Sequence, residues 1–285
     1  MLGSPGCTGA RHSGFARTTV SRIITLTTDF GTQDAYVGAM KGVMLRINPH
    51  ASIVDISHDI APQDVMEGAF VVRGSAFYFP AETIHVVVVD PGVGTPRRPV
   101  ALRCRGQYFV GPDNGILPLL LDGAAPECCV ALDDPAYWRG DEISRTFHGR
   151  DVFAPAAAHL SAGVALDRLG SDVEALTPMQ WALPITDEEG VQGWVVHIDR
   201  FGNCITNVSR EMVERKRGER PIKCFVGSAI LEGTERTYAS VETGEPLMHY
   251  NSSEMLEVSV NSGNAAELLG IRKGDPVNIL FRETR

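Results

Sequence analysis

The sequence predicts an α/β fold: an amino-terminal α/β domain with a largely parallel sheet, followed by a mostly β carboxy-terminal domain. Three observations carry this. Two strand–loop–helix units follow one another near the start, a β-branched run at 84–89 has the composition of a strand buried on both faces, and short strand-like runs dominate from Trp194 onward.

Residues 22–27 alternate toward a strand. Tyr36, Met40, Val43, Met44 and Ile47 then fall at helical spacing, and Pro49 stops the turn. Residues 52–56 read as a second strand, and Asp64 with Glu67 three positions on forms a capping pair for a helix running to about Tyr78. The run 84–89 is broken only by His85. Beyond Asp151, the residues Val152, Phe153, Ala156, Ala157 and Leu160 mark a helix, with Pro155 early enough that its missing N–H costs little. Pro184, Asp187, Glu188, Glu189 and Gly190 then compose an exposed connection, which divides the chain into domains at 22–186 and 191–285. In the second domain 194–198, 222–226, 256–260 and 277–281 read as strands, with one helix near Ala265–Leu269.

The 285 residues are 44% apolar and 21% charged, a globular balance. Asp and Glu outnumber Lys and Arg by 35 to 26, a formal charge of −9, so the surface repels phosphate backbones and nucleic acid is not an expected partner. A cationic small molecule suits that charge. No apolar run reaches the roughly 18 to 20 residues of a membrane helix, so no membrane partner is expected. Cys7, Cys104, Cys128, Cys129, Cys204 and Cys224 contain no CxxC pair, which reads as reduced thiols in a cytoplasmic protein. Residues 1–21 carry Arg11 and Arg17 but no acid and no apolar secretion core; they read as a disordered tail, with a transit peptide as the alternative.

Four polar clusters fall where open α/β sheets place ligand contacts, in loops at strand ends. In Thr27-Thr28-Asp29-Phe30-Gly31, Asp29 is either a carboxylate able to accept both hydroxyls of a ribose diol or a cap for the next helix. In the loop 90–98, glycines permit close approach and Arg97 can return to pair with Asp90; the plainer reading is a Pro-Gly loop with a surface ion pair. In Phe147-His148-Gly149-Arg150-Asp151, His148 can hold or pass a proton and Gly149 leaves room for a small reactant, whereas Asp151 can serve as a cap. Pro112-Asp113-Asn114-Gly115, similar in kind to this third cluster, reads as a tight turn. Finally, Asp199-Arg200-Phe201-Gly202-Asn203 offers an acid for an ammonium, a ring to stack and an amide to match an adenine edge, alongside Asn251-Ser252-Ser253; a β-turn explains the same letters.

Read together and in order, TTDFGTQDAYVGAMKG, VVVVDPGVGTPRRP, VGPDNG, FHGRDVFAPAAAHL, IDRFGNCITN and NSSEMLEVSVNSGNAAELLG resemble the S-adenosyl-L-methionine (SAM) hydrolase family, also called SAM hydroxide adenosyltransferases, relatives of the SAM-dependent fluorinase and chlorinase. The resemblance implies a carboxy-terminal β-barrel-like domain and a homotrimer with substrate between neighbouring subunits. It implies hydrolysis of SAM to adenosine and L-methionine, with SAM as substrate, no cofactor and no metal. The family's catalytic set falls on Asp90, Arg97 and His148. Its ribose acid falls on Asp29, its methionine-ammonium acid on Asp199, its adenine-side residues on Phe201 and Asn203, and its methionine-carboxylate contacts on Ser252 and Ser253. His148-Gly149 stands where halogenating relatives build a halide pocket, which favours water as nucleophile. One departure is Glu254, where the family commonly has Gly.

Rival expectations are a halogenase of the same fold, a sensor that binds SAM or adenosine without turnover, and a metal-dependent nucleoside hydrolase. The last would use Asp29, Asp34, His58 and Asp59 as a carboxylate-rich cation site.

Overall fold

The computed structural model describes residues 22–179 and 183–282, so the tail expected at 1–21 lies outside the described residues. The amino-terminal half contains β1 (Ile23–Thr28), α1 (Tyr36–Ile47), β2 (Ser52–Ser57), α2 (Val65–Ala76), β3 (Ile84–Val88), β4 (Pro99–Cys104), β5 (Gln107–Pro112), α3 (Ile116–Leu121), β6 (Cys128–Ala131) and α4 (Ala154–Ser161). Its sheet runs β2-β1-β3-β5-β4-β6. The first four strands are parallel, while β4 and β6 are laid on antiparallel.

The apolar run of β3, broken only by His85, has a direct cause. Ile84, Val86 and Val88 pack on one side with α1 and α4, through Met40, Met44, Ala154 and Ala157. Val87 and Val89 pack on the other with α2 and α3, through Val72, Ala76, Leu117 and Leu120. A strand covered on both faces has no polar side to show. His85 fits because Phe109 stacks on it at 5.0 Å and Thr25 Oγ1 lies 2.7 Å from its Nδ1. Burial pushes its pKa down to about 4, so it is neutral at pH 7.

The carboxy-terminal half contains β7 (Ile185–Thr186), β8 (Gly190–Ile198), β9 (Cys204–Ser209), α5 (Arg210–Arg217), β10 (Ile222–Val226), β11 (Ala229–Glu232), β12 (Pro246–Tyr250), β13 (Met255–Val260), α6 (Ala265–Leu269) and β14 (Pro276–Phe281). Its antiparallel sheet runs β11-β10-β14-β8-β9-β13-β12, with β7 paired to β8. The end strands β11 and β12 also meet, so the sheet curls into a nearly closed barrel around Val195, Cys204, Val208, Cys224, Leu256, Val258 and Ile279. A second helix, α5, joins the one expected at Ala265–Leu269; only its Val213 is buried, and Ser209 caps it by accepting Met212 N–H. No helix among the described residues is long and apolar enough to cross a membrane.

Glu254 takes the backbone shape a glycine would. Its φ of +59° is left-handed, closing the loop between β12 and β13 as its N–H donates to Asn251 O at 2.9 Å. An L-residue pays roughly 1 to 2 kcal/mol for that conformation. Its 2.7 Å ion pair with Arg210 is exposed and offsets only part of this. The loop therefore survives the Gly-to-Glu departure.

The halves meet where α2 faces β8. Phe70 stacks on His197 at 5.5 Å. The capping pair is half realised: Asp64 accepts Glu67 N–H at 2.8 Å, but the Glu67 carboxylate turns away to Ala61 N–H, His197 and Lys273.

Candidate active site

Parallel pairing sets Thr28 beside Val88, so the loops leaving β1 and β3 emerge together at the carboxyl edge of the sheet. The β3 loop begins at Asp90 and folds back through Gly92 and Gly94. Gly94 has φ +79°, and a Cβ there would stand 2.5 Å from the Arg145 carbonyl oxygen. Only glycine lets this loop press on the segment that carries His148.

That approach closes a three-residue contact. Arg97 Nε donates to Asp90 Oδ1 at 3.0 Å, its Nη2 donates to Asp90 Oδ2, and the same Nη2 donates to His148 Nδ1 at 2.8 Å. The fork is buried, with side-chain exposures of 8% for Arg97 and 6% for Asp90, so the surface ion pair of the plainer reading is not what forms. Burial, then the neighbouring Arg97 charge, lowers the His148 pKa against the opposing pull of Asp90 and Asp151, leaving a neutral imidazole at pH 7. A guanidinium can only donate, so Nδ1 must be the acceptor and the ring proton sits on Nε2.

His148 precedes a π-helical turn, Gly149–Phe153, that leads into α4. A Cβ on Gly149 would meet Met40 Sδ and Phe147 at 3.3 Å and Phe30 at 3.4 Å, so packing as well as reactant space calls for glycine there. Asp151 does not act as a helix cap. It is fully buried and accepts from Arg139, Arg150 and Ser144 N–H. Burial opposes its ionisation, but the hydrogen bonds from Arg150, Ser144 N–H and Arg139 outweigh it and bring the pKa to about 2.

Asp90, His148 and Gly149 line a hollow of about 380 Å³ with Asp29, Phe30, Tyr36, Pro62, Gln63, Thr146 and Phe147. Asp29 is no cap for α1, whose N-cap residue is Ala35. Its Oδ2 accepts Gln63 N–H at 2.8 Å, leaving most of the carboxylate's acceptor sites open. Phe30, Tyr36 and Phe147 form a ring cluster with centroids 5.3 to 5.9 Å apart. The sequence reading missed this aromatic wall. Helical spacing put Tyr36 on the apolar stripe of α1 with Met40 and Met44, but at the first position of the helix its ring stays exposed and turns to the hollow instead of the core.

The hollow draws only on residues 29–149. Asp199, Phe201 and Asn203 are brought together elsewhere, on the turn between β8 and β9. Asp199 Oδ1 accepts Phe201 N–H and Asn203 N–H, and its Oδ2 accepts Asn203 Nδ2, each at 2.9 Å. Phe201 stands 75% exposed. Ser252 and Ser253 are exposed in the loop between β12 and β13, and Ser253 borders a groove against Phe70, Gly74 and Tyr78 of its own chain. Within one chain these residues do not join Asp90.

Pro112-Asp113-Asn114-Gly115 is structural: Asp113 pairs with Arg98, Asn114 Nδ2 donates to Val89 O, and Gly115, at φ +96°, opens α3. Of the rival cation site, His58 has both nitrogens turned to protein groups, Thr28 and Asp55. Among the described residues no cluster of His, Cys, Asp and Glu converges with the geometry of a metal site.

Family models for the SAM hydroxide adenosyltransferase N-terminal and C-terminal domains match residues 24–170 and 193–278. An (R)-S-adenosyl-L-methionine hydrolase of Salinispora tropica is 38% identical over 262 residues, 90% of this chain and 97% of that protein. A fluorinase of an Actinoplanes species is 28% identical over 300 residues, 90% of this chain and 97% of its own. The crystal structure of an uncharacterized conserved protein from Thermotoga maritima superposes with a TM-score of 0.83 at 35% identity, covering 90% of this chain and 99% of that one.

Proposed function

The chain belongs to the SAM hydroxide adenosyltransferase family, and from that premise we propose that it hydrolyses SAM to adenosine and L-methionine by attack of water on the ribose C5′. The observation that carries this is the buried Asp90–Arg97–His148 contact opening on the hollow that Asp29 lines.

Water's oxygen forms the new bond to C5′ as the C5′–S bond breaks, and that pair stays on sulfur. Methionine leaves as a neutral thioether, so the leaving group needs neither a proton nor a Lewis acid. The demand falls on the nucleophile. Holding one water in line with the C5′–S bond can be worth up to roughly 7 to 11 kcal/mol, and general-base help adds about 10² to 10⁴ in rate. With its proton on Nε2, His148 is the donor that holds the water oxygen, and Asp90, which has acceptor sites beyond those Arg97 occupies, takes the water's proton. Asp29 holds the ribose hydroxyls.

His148-Gly149 favours water over halide. Incubation with SAM in chelator, with and without halide, is expected to give equal adenosine and L-methionine in every arm. A halogenated nucleoside in place of adenosine, or free adenine, overturns the proposal.

Because the hollow is lined by residues 29–149 alone, we place Asp199, Phe201, Asn203, Ser252 and Ser253 against the hollow of a second copy in a homotrimer. Asp90→Ala and Asp199→Ala proteins, each inactive, should on co-expression recover roughly a quarter of wild-type turnover, the statistical share of intact composite sites. No recovery in a mixed oligomer defeats that arrangement. The buried thiols of Cys104, Cys129, Cys204 and Cys224, all unpaired, support a cytoplasmic setting.

A further inference from the structure

Behind the hollow, a polar chain runs from the surface to the loop that carries Asp29. Lys41 Nζ donates to Asp55 Oδ2 at 2.6 Å, and Asp55 Oδ1 lies 3.1 Å from His58 Nε2. His58 Nδ1 is 2.8 Å from Thr28 Oγ1, which accepts Phe30 N–H at 3.3 Å. The His58 carbonyl accepts Gly31 N–H at 2.8 Å, so one residue grips the loop on both sides of Asp29 and Phe30.

Phe30 N–H can only donate, so the Thr28 hydroxyl accepts there and still has a proton and a second lone pair with which to meet His58 Nδ1. On the other side of the ring, Nε2 faces Asp55 in a geometry poor for a linear hydrogen bond. Acid, imidazole and hydroxyl stand in the order of a hydrolase nucleophile set. Thr28, however, is fully buried and does not line the hollow, so no substrate reaches its oxygen. The arrangement holds a loop in place instead.

A second feature points the same way. Gln63, whose N–H fixes Asp29 from the facing wall, has φ +68°, a left-handed strain that non-glycine residues keep where surrounding structure imposes it, often at a ligand clamp. Asp29 is thus held from two sides.

We propose that Thr28 and His58 are positioning residues that set Asp29 for the ribose hydroxyls, with Asp55 orienting the imidazole. This rests on the reading of the hollow as a SAM site. Thr28→Val keeps the shape and removes the hydroxyl; Thr28→Ser restores it. Thr28→Val is expected to raise the KM for SAM and the Kd for adenosine roughly five- to tenfold, the equivalent of one hydrogen bond, with little change in kcat. Thr28→Ser should match wild type. Asp55→Asn, at a half-exposed position outside the hollow, should raise KM by a smaller factor and decides the matter if Thr28→Val fails to fold. Unchanged KM in Thr28→Val and Asp55→Asn, or a fall in kcat at constant KM, overturns the proposal. If the wild-type chain forms no adenosine from SAM, the functional reading fails first, before any substitution is compared.

Discussion

Asp90→Asn should lower kcat for adenosine formation by about 10² to 10⁴, the range that general-base help supplies, and leave the KM for SAM little changed. The substitution keeps size and backbone but removes the charge and turns one oxygen into an NH₂. Arg97 Nη2 then meets a donor where it had an acceptor, and its guanidinium loses the carboxylate it is buried against. No group remains to take the water's proton. His148 does not replace it, because its Nδ1 is engaged by Arg97. Arg97→Lys should fare almost as badly, since an ammonium lacks the planar fork that reaches Asp90 and His148 together. Steady-state kinetics decides this: a raised KM with kcat intact would make Asp90 a binding residue. A pH profile adds an independent check. Burial and the Arg97 charge lower the His148 pKa from its ordinary value of 6.5, so the acid-side loss of wild-type activity, when Nδ1 protonates and repels Arg97, should set in at lower pH than for an ordinary imidazole.

How much of this was legible in the sequence differs residue by residue. The strand β3 was readable because a strand covered on both faces must be apolar throughout. The return of Arg97 to Asp90 was readable because the two lie only seven residues apart with Gly92 and Gly94 between them to allow a tight loop. The arrival of His148 was not, since a contact across 51 residues leaves no local pattern; only family resemblance marked it. The hairpin of β4 and β5 escaped notice because its turn, Arg105-Gly106, holds both residues left-handed, at φ +49° and +74°, and Arg is not the residue that announces such a turn. Helix α5 hid for a different reason: with only Val213 buried it shows no apolar period, and it rests on its Ser209 cap and a basic last turn. At Asp199 both the turn and the ligand readings were on the table, and one chain displays only the turn.

Glu67 joins the two domains, and removing its charge should cost stability in a pH-dependent way. Its carboxylate takes His197 Nδ1 at 2.9 Å, Lys273 Nζ at 2.5 Å and Ala61 N–H at 3.0 Å, tying α2, β8, the turn before β14 and the loop leading to Gln63. Burial resists its ionisation, but hydrogen bonds from His197, Lys273 and Ala61 N–H, with the charge of Lys273, prevail and bring the pKa from 4.5 to about 2. Glu67→Gln should destabilise the protein by about 1 to 3 kcal/mol at pH 7, less than a fully buried pair because Lys273 keeps Asp64 as a partner. The sign of the pH dependence follows from the depressed value: the contribution is complete above pH 4.5 and drains away as pH falls through about 2. Urea unfolding of wild type and Glu67→Gln should therefore show a gap that narrows from pH 7 to pH 3. An equal gap at both pH values would mean that the carboxylate's shape, and not its charge, holds the domains. The loss should also reach the active site, because Ala61 leads directly to Gln63 and His197 lies two residues before Asp199. Weakening one carboxylate would loosen the wall that fixes Asp29 and the strand that leads to the Asp199 turn, so on the proposed function KM for SAM should rise alongside the fall in stability.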